Sequence, residues 1–303
     1  MRILVTGATG FVGKHLAAGL QNTTHTLIVL VRDETKFQPL PGKNDSIVVI
    51  STGESNWKTL VREADPEMVI HLAAFLSSGD NETAIESLID ANLLFSTHLL
   101  DSLRETSVKY FINTGTFAEY LNNDGILKPA YLYAATKSAF RSILSYYQSI
   151  LNFRTINVIP YTIYGDLSVQ KKVIDYIYES TVSDTPLLMS PGEQVLDFIH
   201  IEDVVSFYQT VIDNIGHFKE DYIEIHLGTG IGTTPKKIGR LVEKKTMRKT
   251  NISWGSLPYR KRDTMFSVAK ETFPGFLNWK PSINIEEGLN KYISLLKSKN
   301  NGV

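Results

Sequence analysis

Short runs of β-branched and aliphatic residues alternate with longer segments in which apolar residues recur at helical spacing. A strand that is apolar at nearly every position is buried on both faces, as the strands of a parallel sheet are. Strands of this kind alternating with helices predict an α/β fold, with helices covering both faces of a doubly wound parallel sheet. The predicted strands are residues 3–6, 26–31, 47–50, 68–72, 110–113 and 155–159. The helical stripes between them are Val12, Leu16 and Leu20, then Leu88, Asn92, Phe95 and Leu99, and the apolar residues of 132–150.

The alternation changes after residue 165. The next segment carries a basic pair, Lys171 and Lys172, which we interpret as the solvated start of a short apolar helix. Residues 195–200 return to a strand pattern, and a helical pattern follows them. We therefore predict a first domain and a smaller C-terminal lobe. The first comprises 1–165 with 195–230 returning to it, and the second comprises 166–194 and 231–303.

Composition and charge exclude several classes of protein. The 303 residues carry a net charge of −1, so the chain lacks the basic field that binds nucleic acid through its phosphates. It has no cysteine, and its seven histidines are scattered, so we expect no metal site. No apolar stretch reaches the roughly 20 residues of a membrane span, and the N-terminus enters the first strand without a leader pattern. We expect a cytoplasmic protein that binds neither nucleic acid nor membrane.

A glycine-rich turn, Thr6-Gly7-Ala8-Thr9-Gly10-Phe11-Val12-Gly13, follows the first strand and opens the first helix. Glycines in this context bring backbone N–H groups against a pyrophosphate at the helix N-terminus. This spacing of Gly7, Gly10 and Gly13 resembles the short-chain dehydrogenase/reductase superfamily, and the length resembles its extended branch of nucleotide-sugar epimerases, dehydratases and reductases. The resemblance implies a Rossmann-type fold with a C-terminal substrate-binding lobe. It also implies cofactor contacts from Gly7, Thr9, Gly10, Phe11, Val12 and Gly13.

The residue that follows the second strand bears on the choice of cofactor. In NAD-preferring members of the extended branch this strand ends in an acid, whereas here it ends in Val31 followed by Arg32. A guanidinium suits a 2′-phosphate through paired charged hydrogen bonds, which favours NADPH over NAD(H). Asp33 keeps NAD(H) possible if the strand ends two residues later.

Tyr133 and Lys137 are four residues apart and therefore share one face of a helix. A phenol has a pKa near 10, so it needs a nearby cation to act at neutral pH, and Lys137 can supply one. The resemblance adds a hydroxyl on the preceding strand that binds the reacting oxygen, and alignment by strand end favours Thr116 over Thr114. The implied chemistry is hydride transfer to a carbonyl carbon while Tyr133 delivers a proton.

Two further strand ends resemble cofactor-binding segments of the family. The backbone of Leu72, Ala73 and Ala74 is expected to contact the cofactor. The backbone of Pro160, Tyr161 and Ile163 is expected to do the same. The family usually has an asparagine where this chain has Thr162, which we assign to the substrate. Asn92 resembles a family asparagine that supports the active-site strand, and His71 is interpreted as a hydrogen-bonded strand-end residue.

The second half resembles bacterial reductases of nucleotide-linked 4-keto-6-deoxyhexoses, such as those that make CDP-abequose and CDP-paratose. The resemblance rests on the segments around Thr116, around Tyr133 and over 190–200. It implies that Arg260, within Pro258-Tyr259-Arg260, binds the substrate diphosphate, because arginine offers two parallel donors. Gln194 is expected to border the base or the diphosphate. Lys171 and Lys172 are a weaker second candidate for the diphosphate.

Three functions remain open at this point. The first is NADPH-dependent 4-ketoreduction of a nucleotide sugar, and the second is an NAD-dependent 4-epimerase, which the missing ribose acid disfavours. A dehydratase is less favoured, since only Glu119 near Thr116 is acidic. The third is a non-catalytic dinucleotide sensor, which the presence of Tyr133 and Lys137 disfavours. By analogy with the family, the helices over 85–103 and 132–151 are expected to form a homodimer through a four-helix seam.

Overall fold

Strands and helices alternate along the chain, whose computed structural model describes residues 1–41, 46–168, 170–270 and 272–300. The strands are β1 (Arg2–Thr6), β2 (Thr26–Val31), β3 (Ile47–Ser51), β4 (Met68–His71), β5 (Tyr110–Thr114), β6 (Arg154–Pro160), β7 (Thr162–Tyr164), β8 (Leu187–Met189), β9 (Val195–His200), β10 (Tyr222–Leu227), β11 (Gly232–Thr233), β12 (Ile252–Trp254) and β13 (Phe266–Ser267). The helices are α1 (Phe11–Leu20), α2 (Trp57–Ala64), α3 (Glu82–Ile89), α4 (Phe95–Ser102), α5 (Leu132–Leu151), α6 (Val173–Glu179), α7 (Ile201–Asp213), α8 (Pro235–Thr246) and α9 (Ile285–Asn300). A π-helical turn over Asp90–Leu94 joins α3 to α4.

Seven parallel strands form the main sheet, in the order β10-β6-β5-β4-β1-β2-β3. The order reverses between β1 and β4, and at such a switch point the carboxyl ends of the strands border a ligand-binding crevice. This topology confirms the predicted Rossmann-type α/β fold, and each of the six predicted strands is present. The seventh strand, β10, lies within the range 195–230.

Alternation along the strands divides the core into two layers. Ile3 and Val5 pack on the side of the sheet that α1 and α7 cover, whereas Leu4 packs with α2, α4 and α5 on the other side. All three residues are fully buried. Helices on both faces therefore explain why these strands are apolar at nearly every position.

A smaller lobe is built from the segments that follow β6 and β10. Strands β7, β9, β11 and β13 form one small sheet, and β8 pairs with β12. Its apolar cluster joins α6, α8 and α9 through residues such as Ile174, Ile238 and Leu289. The strand pattern at 195–200 therefore belongs to the small sheet as β9, whereas the following α7 and β10 pack in the main domain.

Candidate active site

The glycine turn brings the backbone of β1 close to the loop that follows β4. Gly7 has a φ of +69°, and a Cβ there would lie 2.7 Å from the backbone N of Ala73. A Cβ on Gly13 would overlap the carbonyl oxygen of Gly7, so α1 can begin this close to the turn only with glycine. Gly10 is exposed, and a Cβ on it would meet only Gly7 O, at 3.1 Å.

The first turn of α1 is suited to an anion. Its N-cap, Gly10, supplies no side-chain hydrogen bond, and the turn contains no acidic residue. Amide N–H groups and the positive end of the helix dipole therefore face the crevice without a built-in acceptor. These features fit the pyrophosphate of a dinucleotide. Thr9 is exposed beside this turn, and Phe11 and Val12 are partly buried.

Arg32 and Asp33 differ in what they bind at the end of β2. Asp33 caps a short 3₁₀ helix, accepting from the Thr35 N–H at 3.1 Å and from the Thr35 hydroxyl at 2.6 Å. The Thr35 hydroxyl lowers the pKa of this carboxyl. Arg32 is exposed, and within the described part of the chain its guanidinium forms no ion pair. Arg32 is thus the side chain at this strand end that is available to a phosphate.

Tyr133 and Lys137 lie one turn apart at the start of α5, both buried, with 9% and 3% of their surface exposed. Burial raises the pKa of Tyr133, and the nearby Tyr131 and Glu119 act in the same direction. Burial lowers the pKa of Lys137 to about 8, opposed by the charge of Glu119. Burial sets the direction of the Tyr133 pKa shift. Tyr133 is therefore protonated at neutral pH, the form that can donate a proton.

The two threonines after β5 point in different directions. The Thr114 hydroxyl bonds the Tyr208 hydroxyl of α7 at 2.8 Å, on the face of the sheet opposite α5. Thr116 caps a 3₁₀ turn over Phe117–Glu119, its hydroxyl accepting from the Ala118 N–H at 3.3 Å. This geometry leaves Thr116 as the candidate on the Tyr133 side, although its hydroxyl also acts as a helix cap.

Glu119 holds this turn against α5. It is fully buried, and its Oε1 accepts from the Thr116 N–H at 2.8 Å. Its Oε2 lies 2.7 Å from Nε of Arg141 and accepts from the Ser138 hydroxyl at 3.1 Å. Arg141 also pairs with Glu224 at 2.7 Å. The sequence indicated Glu119 only as an acid near Thr116 that could serve a dehydratase, and this buried ion-pair network was not predicted.

Asn92 connects the loop after β4 to the catalytic helix. It lies in the π-helical turn, accepts from the Phe75 N–H at 2.8 Å and donates to the Phe75 carbonyl at 3.1 Å. Its Nδ2 also donates to the Thr136 hydroxyl at 3.0 Å. This clamp is the structural support that the sequence predicted. The loop it holds contains Ala73 and Ala74, which follow Leu72 at the carboxyl end of β4.

His71 has both ring nitrogens in hydrogen bonds. One bonds the Thr6 hydroxyl at 2.8 Å and the other the Ser96 hydroxyl at 3.0 Å. Burial holds its pKa well below 6.5. The residue is therefore a neutral structural histidine, as predicted. Within the described ranges, no group of three or more His, Cys, Asp or Glu side chains could hold a metal ion.

Residues at the end of β6 and in β7 form hydrogen bonds within the protein. Tyr161 is buried, and its hydroxyl bonds Asn123 and His226, each at 3.1 Å. Pro160 and Thr162 are partly buried. The carbonyl oxygen of Ile163 accepts from Nζ of Lys172 at 2.8 Å. Cofactor contacts from Pro160, Tyr161 and Ile163 stay predictions.

Lys172 corrects the interpretation of the basic pair. Lys171 is exposed and pairs with Glu179 at 2.8 Å, as expected of a solvated helix start. Lys172 is partly buried, and its Nζ lies 3.3 Å from the centroid of the Phe11 ring. The prediction was wrong for Lys172 because the segment before α6 folds back over the start of α1.

Arg260 of the C-terminal lobe contacts the loop after β4. It is exposed, and its guanidinium donates to the Ser78 hydroxyl of this loop at 3.4 Å. Its charge also acts on Tyr131, whose pKa burial raises and Arg260 lowers. The ring of Tyr131 stacks on that of Tyr133, with centroids 6.0 Å apart. Arg260 therefore lies near Tyr131, whose ring is next to that of Tyr133.

Gln194 lies in the same lobe with one polar atom unpaired. Its Nε2 donates to the Ser190 hydroxyl at 3.4 Å. Its Oε1 is buried and, among the described residues, has no hydrogen-bond partner. Buried polar atoms are normally paired, so this oxygen is available to a donor on a ligand.

No described helix is both long and apolar enough to cross a membrane.

A model of the NAD dependent epimerase/dehydratase family matches residues 3–223. The chain is 27% identical to CDP-abequose synthase of Salmonella muenchen, over 97% of each protein. It is 29% identical to CDP-abequose synthase of Yersinia pseudotuberculosis, over 88% of this chain and 91% of that one. The structure of Thermus thermophilus UDP-glucose 4-epimerase in complex with NAD superposes with a TM-score of 0.80 at 21% identity, covering 98% of this chain and 99% of that one.

Proposed function

Because this chain belongs to the NAD dependent epimerase/dehydratase family, we propose that it reduces the C4 keto group of a nucleotide-activated 4-keto-6-deoxyhexose with NADPH. The observation that carries the proposal is that Tyr133, buried and protonated at the start of α5, stacks on Tyr131, whose phenol lies within reach of the charge of Arg260 from the C-terminal lobe. Similarity to CDP-abequose synthases over nearly the whole chain supports a CDP- or dTDP-linked sugar as the substrate.

Bound NADPH supplies the hydride that reduces the carbonyl carbon. We assign its pyrophosphate to the glycine turn, whose N–H groups are free of side-chain caps. Arg32 is the proposed ligand of the 2′-phosphate, since Asp33 is engaged with Thr35. The remaining proposed contacts are Thr9, Phe11, Val12, Leu72, Ala73, Ala74, Tyr133, Lys137, Pro160, Tyr161 and Ile163.

In the proposed reaction Tyr133 donates its phenolic proton to the oxygen at C4 as negative charge develops there. The ammonium of Lys137 stabilises the phenolate that remains, because the two groups share one face of α5. The Thr116 hydroxyl donates a hydrogen bond to the same oxygen. The raised pKa of Tyr133 keeps its proton in place until the carbonyl oxygen accepts it.

We assign the nucleotide to the C-terminal lobe. Arg260 binds the diphosphate, and its position near Tyr131 supports this assignment. The unpaired Oε1 of Gln194 accepts from a donor on the base or its sugar. Thr162, at the start of β7, lines the site of the hexose.

We further propose that two copies associate through α3, the π-helical turn, α4 and α5. Ile85 and Ile89 on α3 and Tyr146 and Ile150 on α5 are exposed, Tyr146 to 59%. Clustered exposed apolar residues on neighbouring helices are typical of an interface.

The test is the consumption of reduced nicotinamide, followed by its absorbance, with enzymatically generated CDP- or dTDP-4-keto-6-deoxyglucose. We expect oxidation of NADPH in preference to NADH, and a loss of about 10²- to 10⁴-fold in Tyr133→Phe with the cofactor still bound. Tyr147→Phe is the matched control, because Tyr147 is on the same helix and equally buried, at 9% exposure. Full activity of Tyr133→Phe would refute the assignment.

The second candidate is an NAD-dependent 4-epimerase, which the similarity to the Thermus thermophilus epimerase fold keeps in view. Such an enzyme retains its cofactor through the reaction. If no NADPH is consumed and denaturing the purified protein releases NAD, the epimerase is favoured over the reductase.

A further inference from the structure

Lys172 spans two sides of the crevice assigned to the cofactor. Its Nζ lies 3.3 Å from the centroid of the Phe11 ring, and Phe11 is the first residue of α1 after the glycine turn. The same Nζ donates to the carbonyl of Ile163 on β7 at 2.8 Å. A side chain from the segment before α6 therefore reaches the helix end at which a dinucleotide pyrophosphate would lie.

The protein compensates the ammonium of Lys172 only in part. Among the described residues no carboxylate lies within 4.0 Å of its Nζ. Asp175 is close, but its carboxylate already accepts from the Lys172 backbone N–H and from the Tyr292 hydroxyl. Burial lowers the pKa of the Lys172 side chain to about 7; the charge of Asp175 opposes this shift, and the nearby Lys14 adds to it. The Phe11 ring and Asp175, which forms no ion pair with Lys172, offset only part of the cost of burying this cation, so an anion bound beside it would be favoured.

The surroundings restrict what this anion is. An ammonium has three donors, and the Ile163 carbonyl takes one of them. The neighbouring N–H groups at the start of α1 have no side-chain cap, and no acid stands in that turn. An anion that bridges a helix N-terminus and a lysine is typically a phosphate group.

We infer that Lys172 binds the pyrophosphate of the dinucleotide cofactor, opposite the amide groups of the glycine turn. The inference rests on the proposed function for the class of cofactor. It adds a residue that binds the pyrophosphate from outside the glycine turn of the first domain. Because Lys172 immediately precedes α6, cofactor binding then fixes one edge of the lobe that receives the nucleotide sugar.

The experiment compares Lys172→Gln with Lys171→Gln, a matched control one residue away that is exposed and paired with Glu179. Isothermal titration calorimetry measures the Kd of NADP⁺, NAD⁺ and CDP for each variant, without turnover. We expect Lys172→Gln to weaken NADP⁺ and NAD⁺ by the same factor, roughly 10- to 100-fold, because both carry the pyrophosphate. Lys171→Gln keeps the wild-type values, and Lys172→Arg restores most of the affinity.

Two further arms separate this inference from other assignments. Arg32→Gln is expected to weaken NADP⁺ alone, since only that cofactor carries the 2′-phosphate. Weakening of CDP alone in Lys172→Gln would overturn the inference and move Lys172 to the substrate diphosphate. Unchanged NADP⁺ and NAD⁺ affinities in a variant with the wild-type unfolding temperature would also overturn it. Absence of dinucleotide binding to the wild-type protein would instead refute the proposed function.

Discussion

Replacing Glu119 with glutamine is expected to lower the free energy of unfolding by about 3 kcal/mol. Removing one partner of a buried ion pair costs roughly 3–5 kcal/mol because it leaves the other charge uncompensated. Arg141 keeps its second partner, Glu224, at 2.7 Å, so the lower end of that range applies. The glutamine oxygen can still accept from the Thr116 N–H. The lost free energy of unfolding therefore reflects the missing charge, because no backbone donor is left without a partner.

The same substitution has a kinetic signature. Burial lowers the pKa of Lys137 to about 8, and the negative charge of Glu119 opposes this shift. Without that charge the pKa of Lys137 falls further, so its ammonium form is lost at a lower pH. The alkaline limb of the pH profile of kcat/KM, expected near pH 8, therefore moves to lower pH in Glu119→Gln.

Urea unfolding followed by the fluorescence of the three tryptophans measures the first effect, and the rate of NADPH oxidation across pH measures the second. Glu202→Gln is the control, because Glu202 pairs with Lys291 at 2.7 Å on the surface. An exposed pair contributes at most about 1 kcal/mol. A Glu119→Gln variant as stable as this control, with an unmoved alkaline limb, would refute the reasoning.

Three other predictions concern the turn, pH and assembly. Gly13→Ala should destabilise the protein by about 1–3 kcal/mol and weaken NADP⁺ binding, because its Cβ would overlap the Gly7 carbonyl. Gly19→Ala, later in α1, would meet only flexible side-chain atoms and should change stability by at most about 1 kcal/mol in urea unfolding. Stability should fall below pH 6.5, since the unfolded His71 imidazole takes up a proton that the buried one excludes, at up to about 1.4 kcal/mol per pH unit. His71→Gln should flatten this slope, and an unchanged slope would contradict the assignment. Ile89→Arg combined with Tyr146→Arg should halve the mass measured by analytical ultracentrifugation, whereas a monomeric wild-type protein would exclude the dimer.

The sheet could be predicted because its physical cause is local. Strands buried on both faces must be apolar throughout. Apolar runs such as Ile3, Leu4 and Val5 therefore predict the main sheet directly. The choice of Thr116 over Thr114 stays a prediction made from the strand end. Thr114 is the last residue of β5 and bonds Tyr208 on the far face, whereas Thr116 has left the strand and caps the 3₁₀ turn.

The features that were predicted wrongly or missed involve residues whose neighbours come from distant segments of the chain. A lysine is exposed in most proteins, so a basic pair before a helix is normally solvated, and nothing near Lys172 indicates that Phe11 will cover it. The burial that raises the pKa of Tyr133 was also not visible in the sequence, since it depends on packing by distant segments. The pairing of β9 with β7 was likewise not visible, because a strand pattern does not specify its partner.

The late position of β10 has a consequence for synthesis on the ribosome. Tyr222 of β10 pairs with Thr155 of β6, so the whole of the smaller lobe's first segment is translated between the two partners. At about 5–20 residues per second, the nascent chain presents β6 as an open edge for several seconds. An unpaired apolar edge is a template for association with other chains. Folding of this protein in the cell should therefore depend on chaperones during that interval, even if the completed sheet is stable.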